Sequence, residues 1–496
     1  MNKHVPTKTS SSRYHQPWIN APLRRLIRRK QRAWKKFKKT GKDEDKSRYK
    51  DLQKESRRQN RRAHQKYVKN FIQEDSGKHL WRYVKGKKTD SQGILPLKKN
   101  GLVFSQASDK ANILNEQFCS VFTHEDLDNL PDLPDSPYPD MPDIEISTLG
   151  IQKLLKNLNG KKAAGPDGIP CRLLQAVSQE LAPALTTLFR TSLDKGETPM
   201  AWKHATVQPI YKKGDRSSAA NYRPISLTCI CCKLMEHVIR SEITKHLDEN
   251  NILTDAQHGF RKKRSCETQL LLTVDDLASE LDKAGQVDTI LLDFSKAFDV
   301  VPHQRLVMKL HYYGIRGKTL CWVQSFLANR TQRVAVEGEL SDIGEVTSGV
   351  PQGSVLGPTL FSIYINDIGE NIKSCVRLFA DDTILYKNIR NQTDSETLQK
   401  DLDTLESWET KWQMSFNVSK CHLLTITRKN NPIQCRYSLH GQNLESVKNA
   451  KYLGVELSST LNWKDHIHAT AKKANRTSAF VYRNLKGCPT DVQLHC

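Results

Sequence analysis

Apolar and polar positions along the chain change their rhythm three times. In RRLIRRKQRAWKKFKK, residues 24 to 39, Leu26, Ile27, Trp34 and Phe37 recur among cations with no Pro or Gly between them, which predicts a helix. From Glu125 to Asp143 the run EDLDNLPDLPDSPYPDMPD carries five prolines, too many for a helix or a central strand, so a linker over 124–144 and a domain boundary near residue 145 are expected. Beyond it, helical patterns such as STLGIQKLLKNL alternate with strand-like runs such as DTILLDF and KYLGVEL, the mark of an α+β fold. A last helical stretch is expected over 462–487, with Lys472, Arg476 and Arg483 on one face, a surface suited to tracking a nucleic-acid backbone without reading sequence.

Charge sharpens this division. The 496 residues carry a formal +23, and residues 22–69 alone hold 21 Lys or Arg against 5 Asp or Glu, a net +16. Such a segment drives phosphate contact and counterion release; a solvated helical linker or a nuclear-import signal is the competing reading. No run approaches the roughly 18 apolar residues of a membrane span, and the opening MNKHVPTKTSSSRYHQPW lacks an apolar signal core. An intracellular protein, nuclear or cytoplasmic and with no membrane partner, is the expectation. The twelve cysteines are scattered. Cys229, Cys231 and Cys232, with His237, lie in ISLTCICCKLMEHVI, whose apolar spacing favours core thiols over a metal site.

The chemistry is carried by acids at strand ends. Thr289 to Leu292 reads as a buried strand from which Asp293 emerges, and 88 positions later VRLFADDTILY has two apolar half-strands flanking Ala380-Asp381-Asp382, as in a hairpin turning on the acidic pair. Three carboxylates that converge repel one another unless cations lie between them, and two Mg²⁺ ions shared with nucleotide phosphates satisfy that need. Asp-Asp in a turn is otherwise ordinary turn chemistry. Between these segments, SGVPQGSVLGPTLFSIYINDI offers a Gly/Pro loop, Gly349 to Gly353, before an apolar helix expected at Phe361 to Ile368. Glycines there let backbone approach a nucleotide closely.

DFSKAFD, SGVPQGSVLGP and LFADD, in that order, resemble motifs A, B and C of reverse transcriptases, specifically those of non-LTR (LINE-type) retrotransposons. GKKAAGPDGIP, WKHATVQPIYKKGD, NYRPISL, QHGFRKKRS, SFLANRTQRV, WQMSFNVSKC and KYLGV are similar to the same family, nearest its jockey-like branch. The resemblance implies a right-hand polymerase with fingers, a ferredoxin-like palm and a partial helical thumb, preceded by a basic helical extension. The boundaries expected are a disordered N-terminus over 1–20, a basic and mostly helical linker region over 21–123, the acidic Pro-rich linker, fingers and palm over 145–458 with the polymerase signature from about 193, and partial thumb over 459–496. Residues 1–144 show no endonuclease constellation, so a piece of a larger reading frame is expected.

By the same resemblance, Asp293, Asp381 and Asp382 would bind the metals, with the Phe294 carbonyl as a further ligand, and Mn²⁺ is a possible substitute for Mg²⁺. Phe298, five after Asp293, matches the bulky residue that blocks a ribose 2′-OH, a discrimination by volume. Arg223 with Lys212 or Lys213, around KGDRSSAAN, would clamp the triphosphate; which lysine does so is open. Gln352 falls where the family contacts the nascent base pair, and Lys420 matches a lysine proposed to protonate pyrophosphate. The implied partners are an RNA template, a DNA primer, their heteroduplex and dNTPs. Two other readings stand beside RNA-directed DNA synthesis: a non-catalytic RNA-binding remnant, and an intron-maturase type of reverse transcriptase.

Overall fold

The structure, a computed structural model, describes residues 16–74 and 93–485. By contacts the chain divides into two compact units, 1–92 with 467–496, and 93–466. In the first, α1 (Ala21–Thr40) begins where the Asn20 side chain accepts the Leu23 amide and ends at Gly41, whose left-handed φ of 65° sends its N–H back to the Phe37 carbonyl. α2 (Asp43–Glu74) then folds back along α1. Trp34 rests on Tyr49 at 4.8 Å, and the Trp18 indole donates to Asn60 at 3.0 Å and meets His64 edge-on. Thus residues 16–20 do not continue a disordered N-terminus, because Trp18 and Asn20 tie them to the hairpin; residues 1–15 lie outside the described residues.

The second unit begins earlier than the sequence implied. β1 (Leu97–Lys99) and β2 (Leu102–Phe104) form a hairpin followed by α3 (Ala107–Cys119). Their Leu97, Leu114 and Phe118 share a core with Val207 and Val334. Lys110, almost fully buried on α3, gives its ammonium to the Ile94 carbonyl and to Glu337. Residues 93–123 are therefore part of this unit and not of a linker.

The boundary expected near residue 145 is likewise absent. Residues 124–144 hold no helix or strand, as their prolines require, yet they are strapped to the surface. Glu125 accepts the backbone N–H groups of Gln304 and Arg305, Arg305 reaches the Asp126 and Asn129 carbonyls, and Met141 N–H donates to Gly314. Proline forbids regular structure but not docking, and Tyr138 packs against Tyr312 and Tyr313.

Two five-stranded sheets follow. One is built of β3 (His204–Tyr211), β4 (Tyr222–Leu227), β6 (Arg330–Val336), β7 (Glu339–Leu340) and β8 (Gly344–Val346), in the order β4-β3-β6-β7 with β8 also on β6. The other runs β14-β11-β5-β10-β9 and uses β5 (Gln286–Asp293), β9 (Cys375–Phe379), β10 (Asp382–Asn388), β11 (His422–Thr427) and β14 (Glu445–Ser446). Short hairpins, β12 (Ser438–Leu439) with β13 (Gln442–Asn443) and β15 (Asn449–Tyr452) with β16 (Val455–Ser458), complete the strands. KYLGVEL is thus the second of these hairpins rather than one strand, because Leu453 and Gly454 both take positive φ, 45° and 91°.

Alternation along β5 buries Ile290 and Leu292 against α7 (Gln392–Trp412), while Val287 and Leu291 face α5 (Cys266–Asp282). α4 (Ile230–Glu249) and α6 (Gly357–Tyr364) fill the larger core, with Cys229 and Cys232 buried in it. α6 starts at Gly357, four residues ahead of the expected Phe361, and ends at Tyr364 short of Ile368. Its early start follows from Glu236 on α4, a fully buried carboxylate that accepts the Val355 and Leu356 amides at 2.6 and 3.0 Å, satisfying donors at the helix's N-terminal end. α8 (Lys464–Leu485) matches the expected final helix, and Lys472, Arg476 and Arg483 are exposed on it; the division between units falls within it, so 459–496 is not a separate unit. Among the described residues no helix is long and apolar enough to cross a membrane.

Candidate active site

The acids are placed by register. β5 and β10 are antiparallel with Asp382 directly opposite Asp293, so both side chains lie on one face of the sheet. β9 and β10 pair Phe379 with Asp382, leaving Ala380 and Asp381 as a two-residue turn. Ala380 there has φ 54°, an uncommon conformation for a residue with a Cβ. What holds it is the QHG segment. The Gln257 side-chain oxygen accepts the amides of Ala380 at 3.0 Å and Gly259 at 2.6 Å, and residues 256–258 bond to Leu378 through backbone. A Cβ on Gly259 would lie 2.4 Å from the Ala380 nitrogen, so only glycine allows this approach. The run QHGFRKKRS gives no sign of this task for Gln257, because a polar residue before a Gly beside basic residues carries no distinguishing pattern.

Charges in the site feel one another. Burial and the Asp293 charge raise the Asp381 carboxyl, while Arg223 and Lys212 pull it down. Asp382 is pushed up to about 6, by burial first and then by Asp381 and Asp293, again against Lys212 and Arg223. Burial lowers Lys212, helped by Arg223 and Lys420 and opposed by Asp293. Six of the expected residues therefore form one electrostatic group. Register distinguishes the two lysines: Arg223 sits opposite Ile210, and alternation carries that face to Lys212, whose backbone N–H continues the ladder by donating to the Asn221 carbonyl, whereas Lys213 lies past this last bond.

Lys420 lies in a short turn before β11, and its ammonium meets Asp293 at 3.0 Å. Phe294 is buried and stacks on Phe416 at 4.2 Å. Their bridge uses the Asp293 and Ser415 carbonyls as acceptors, which turns the Phe294 carbonyl away from Phe416. Among the described residues no three His, Cys, Asp or Glu side chains close into a metal cage. The donor set still fits a hard divalent cation, because Mg²⁺ keeps several waters and takes one or two carboxylates together with substrate phosphates. The raised Asp381 and Asp382 carboxyls are groups whose repulsion a cation would relieve.

Phe298 and Gln352 come together in a laced seam. Val350 N–H donates to the Phe298 carbonyl, Gly349 N–H to Val301, and the Ser348 hydroxyl to the Asp299 carbonyl. Gly349, at φ 84°, lies so close that a Cβ would meet the Phe298 and Asp299 carbonyls under 3 Å. On the other side Ser226 of β4 donates to the Gln352 carbonyl at 2.8 Å. The Phe298 ring stacks on Phe361 of α6 at 4.4 Å and meets the half-exposed Phe260 edge-on. The strand bearing Arg223, the loop bearing Gln352 and the segment bearing Phe298 are thus one connected wall.

Residues 210–457, half of the chain, match the family described as reverse transcriptase (RNA-dependent DNA polymerase). The chain belongs to the reverse transcriptase family. It is 27% identical over 87% of its length to a Drosophila melanogaster protein named probable RNA-directed DNA polymerase from transposon BS, covering 50% of that protein. It is 31% identical over 64% of its length to the RNA-directed DNA polymerase from mobile element jockey of the same species, and 27% identical over 64% to that of transposon X-element, covering 36% of each. The chain therefore spans about half, or about a third, of these relatives. The expected jockey-like, non-LTR kind of reverse transcriptase is met by these likenesses. Family membership implies a right-hand polymerase fold, with which the mixed helices and sheets of this chain agree.

Proposed function

We propose that the chain extends a primer 3′-OH with dNTPs on an RNA template. The observation that carries this reading is the pairing of Asp382 with Asp293 across a hairpin whose turn holds Asp381, faced by Lys212 and Arg223. The β14-β11-β5-β10-β9 sheet acts as the palm, the β3–β4 ribbon as fingers and α8 as the start of a thumb. Asp293, Asp381 and Asp382, with the Phe294 carbonyl, would hold two Mg²⁺ ions, or Mn²⁺ in their place. When bound, those cations supply a lowered pKa for the primer hydroxyl and charge stabilisation for departing pyrophosphate.

The remaining work falls to this chain's own residues. Arg223 offers a fork of donors to phosphate oxygens and Lys212 a point charge, both on the face that meets the acids. Phe298, backed by Phe361, presents a wall where a ribose 2′-OH would project. Gln352 meets the nascent pair. Lys420, held on Asp293, is a proton donor within reach of the same centre. The exposed cations of α1, α2 and α8 serve as contacts to RNA and heteroduplex backbone. Purified protein given an RNA template, a DNA primer, dNTPs and Mg²⁺ or Mn²⁺ should add nucleotides. Absence of addition with either ion, while RNA still binds, would favour the RNA-binding remnant instead.

A further inference from the structure

Asp299 is the second acid of DFSKAFD, and neither the metal site nor the substrate contacts described above use its side chain. It is 9% exposed, and no Lys or Arg forms an ion pair with it among the described residues. Burial in such a place is costly for a carboxylate. Among the described residues its one side-chain bond comes from the Gln352 amide nitrogen to Oδ1 at 2.9 Å. Burial pushes the Asp299 carboxyl up to about 6, which leaves it ionised at neutral pH and above.

An ionised carboxylate can only accept, so it dictates which end of the Gln352 amide faces it. One N–H goes to Asp299 and the second stays free beside the carbonyl oxygen. The rest of the loop cannot set that orientation, because its lacing runs through backbone: Gly349 and Val350 donate to the Val301 and Phe298 carbonyls, and the Gln352 carbonyl is taken by Ser226. The loop's path is fixed by the chain, and the amide's rotation by Asp299. We infer that Asp299 is a positioning residue that locks the Gln352 side-chain amide with an N–H turned toward the nascent base pair. In the minor groove every base pair presents an acceptor, adenine or guanine N3 or pyrimidine O2, so a fixed donor reads pair geometry without reading sequence.

This inference rests on the polymerase reading, and the experiment separates the two. Single-nucleotide incorporation is measured for the parent, Asp299→Ala, Asp299→Asn, Gln352→Ala and the double Ala variant. Asp299→Ala should raise KM for the correct dNTP about tenfold with kcat changed by less than about threefold, the loss of one orienting bond. Asp299→Asn can offer the Gln352 amide either an acceptor or a donor, so it should fall between the parent and Asp299→Ala. In the Gln352→Ala background, removing Asp299 should cost less than about twofold more, since its effect passes through the missing amide. A full tenfold further loss there, or an Asp299→Ala variant with the KM of the parent, would overturn the inference. Selective ¹⁵N-glutamine labelling gives a readout independent of activity. The Gln352 side-chain amide, assigned by its loss in Gln352→Ala, should lie away from the solvent-exposed glutamines and move to join them in Asp299→Ala. If the parent extends no primer with either ion, the polymerase reading falls while the amide signal still decides the contact; an amide unmoved by Asp299→Ala would refute it.

Discussion

Asp293, Asp381 and Asp382 stand at strand ends and in a turn of two residues, so their positions are set by backbone register and by a strained φ at Ala380. Lys212 and Arg223 reach the same centre from the other sheet on long side chains at the end of an antiparallel ribbon, where rotamers and not register decide the last few ångströms. Negative charge here is fixed and positive charge is adjustable. Under the proposed function, that difference suits acids that hold cations at constant geometry and basic groups that close on a triphosphate as it arrives and leaves. It also orders the consequences of mutation, with the rigid sheet least tolerant.

The largest effect should come from the turn itself. Asp381→Ala removes a proposed metal ligand where transition-state charge would develop, and single-nucleotide addition should fall by about 10² to 10³-fold or more, with RNA affinity changed less than about twofold. Rapid-quench incorporation and a filter-binding titration on the same preparation check both halves. Equal rates for variant and parent would remove the acids from the mechanism and with them the contrast between the sheets.

Next in size is Phe298→Val, in the seam between the two sheets. Its ring is backed by Phe361, so trimming it opens volume that the neighbour does not refill. The ratio of rNTP to dNTP efficiency should rise by about 10 to 200-fold, the range of discrimination an apolar contact supplies. An unchanged ratio would make Phe298 part of the core and leave sugar selection to the adjustable side.

A subtler attack on the rigid sheet leaves every acid in place. Gly259→Ala sets a methyl 2.4 Å from the Ala380 nitrogen, so the QHG segment must separate from the acidic turn and the Gln257 bond must stretch. Overpacking of this kind costs about 1–3 kcal/mol, and addition should slow by about tenfold with the melting temperature only a few degrees lower. A variant as active as its parent would show that the turn keeps its shape without that support.

This support marks the limit of what the sequence disclosed. The strand before Asp293 was legible because Thr289 to Leu292 is an unbroken apolar run, and the hairpin because two half-strands flank Ala380-Asp381-Asp382. KYLGVEL misled because the same alternation continues across a two-residue turn, and only the pairing of Tyr452 with Val455 exposes it. The acidic segment 124–144 misled differently: proline content reports the absence of regular structure, whereas its docking depends on Arg305 and Gln304, some 180 positions away. Gln257, Glu236 and Asp299 escaped for the same reason. Each acts by accepting backbone or amide N–H groups from a distant segment, an interaction with no local periodicity.

Mutation on the adjustable side, felt in KM alone, settles the ambiguity between neighbouring lysines. Alternation places Lys212 on the face of Arg223, and its ammonium is lowered by burial and by Arg223 while Asp293 raises it; Lys213, exposed like Lys212, lies one residue further past the last paired position. A triphosphate bound against the acids would therefore meet Lys212 and Arg223 but not Lys213. Lys212→Ala should raise KM for dNTP by about tenfold, the loss of one charge-assisted contact. Lys213→Ala should stay within about twofold. Moreover, the Lys212→Ala defect should be partly restored by Lys212→Arg, because a side chain free to choose its rotamer can deliver charge from either head group, whereas Asp381→Glu, displaced by one methylene on a turn that cannot yield, should recover little. Matched KM values for the two alanine variants, or full rescue by Asp381→Glu, would erase the distinction between a rigid acidic sheet and an adjustable basic one.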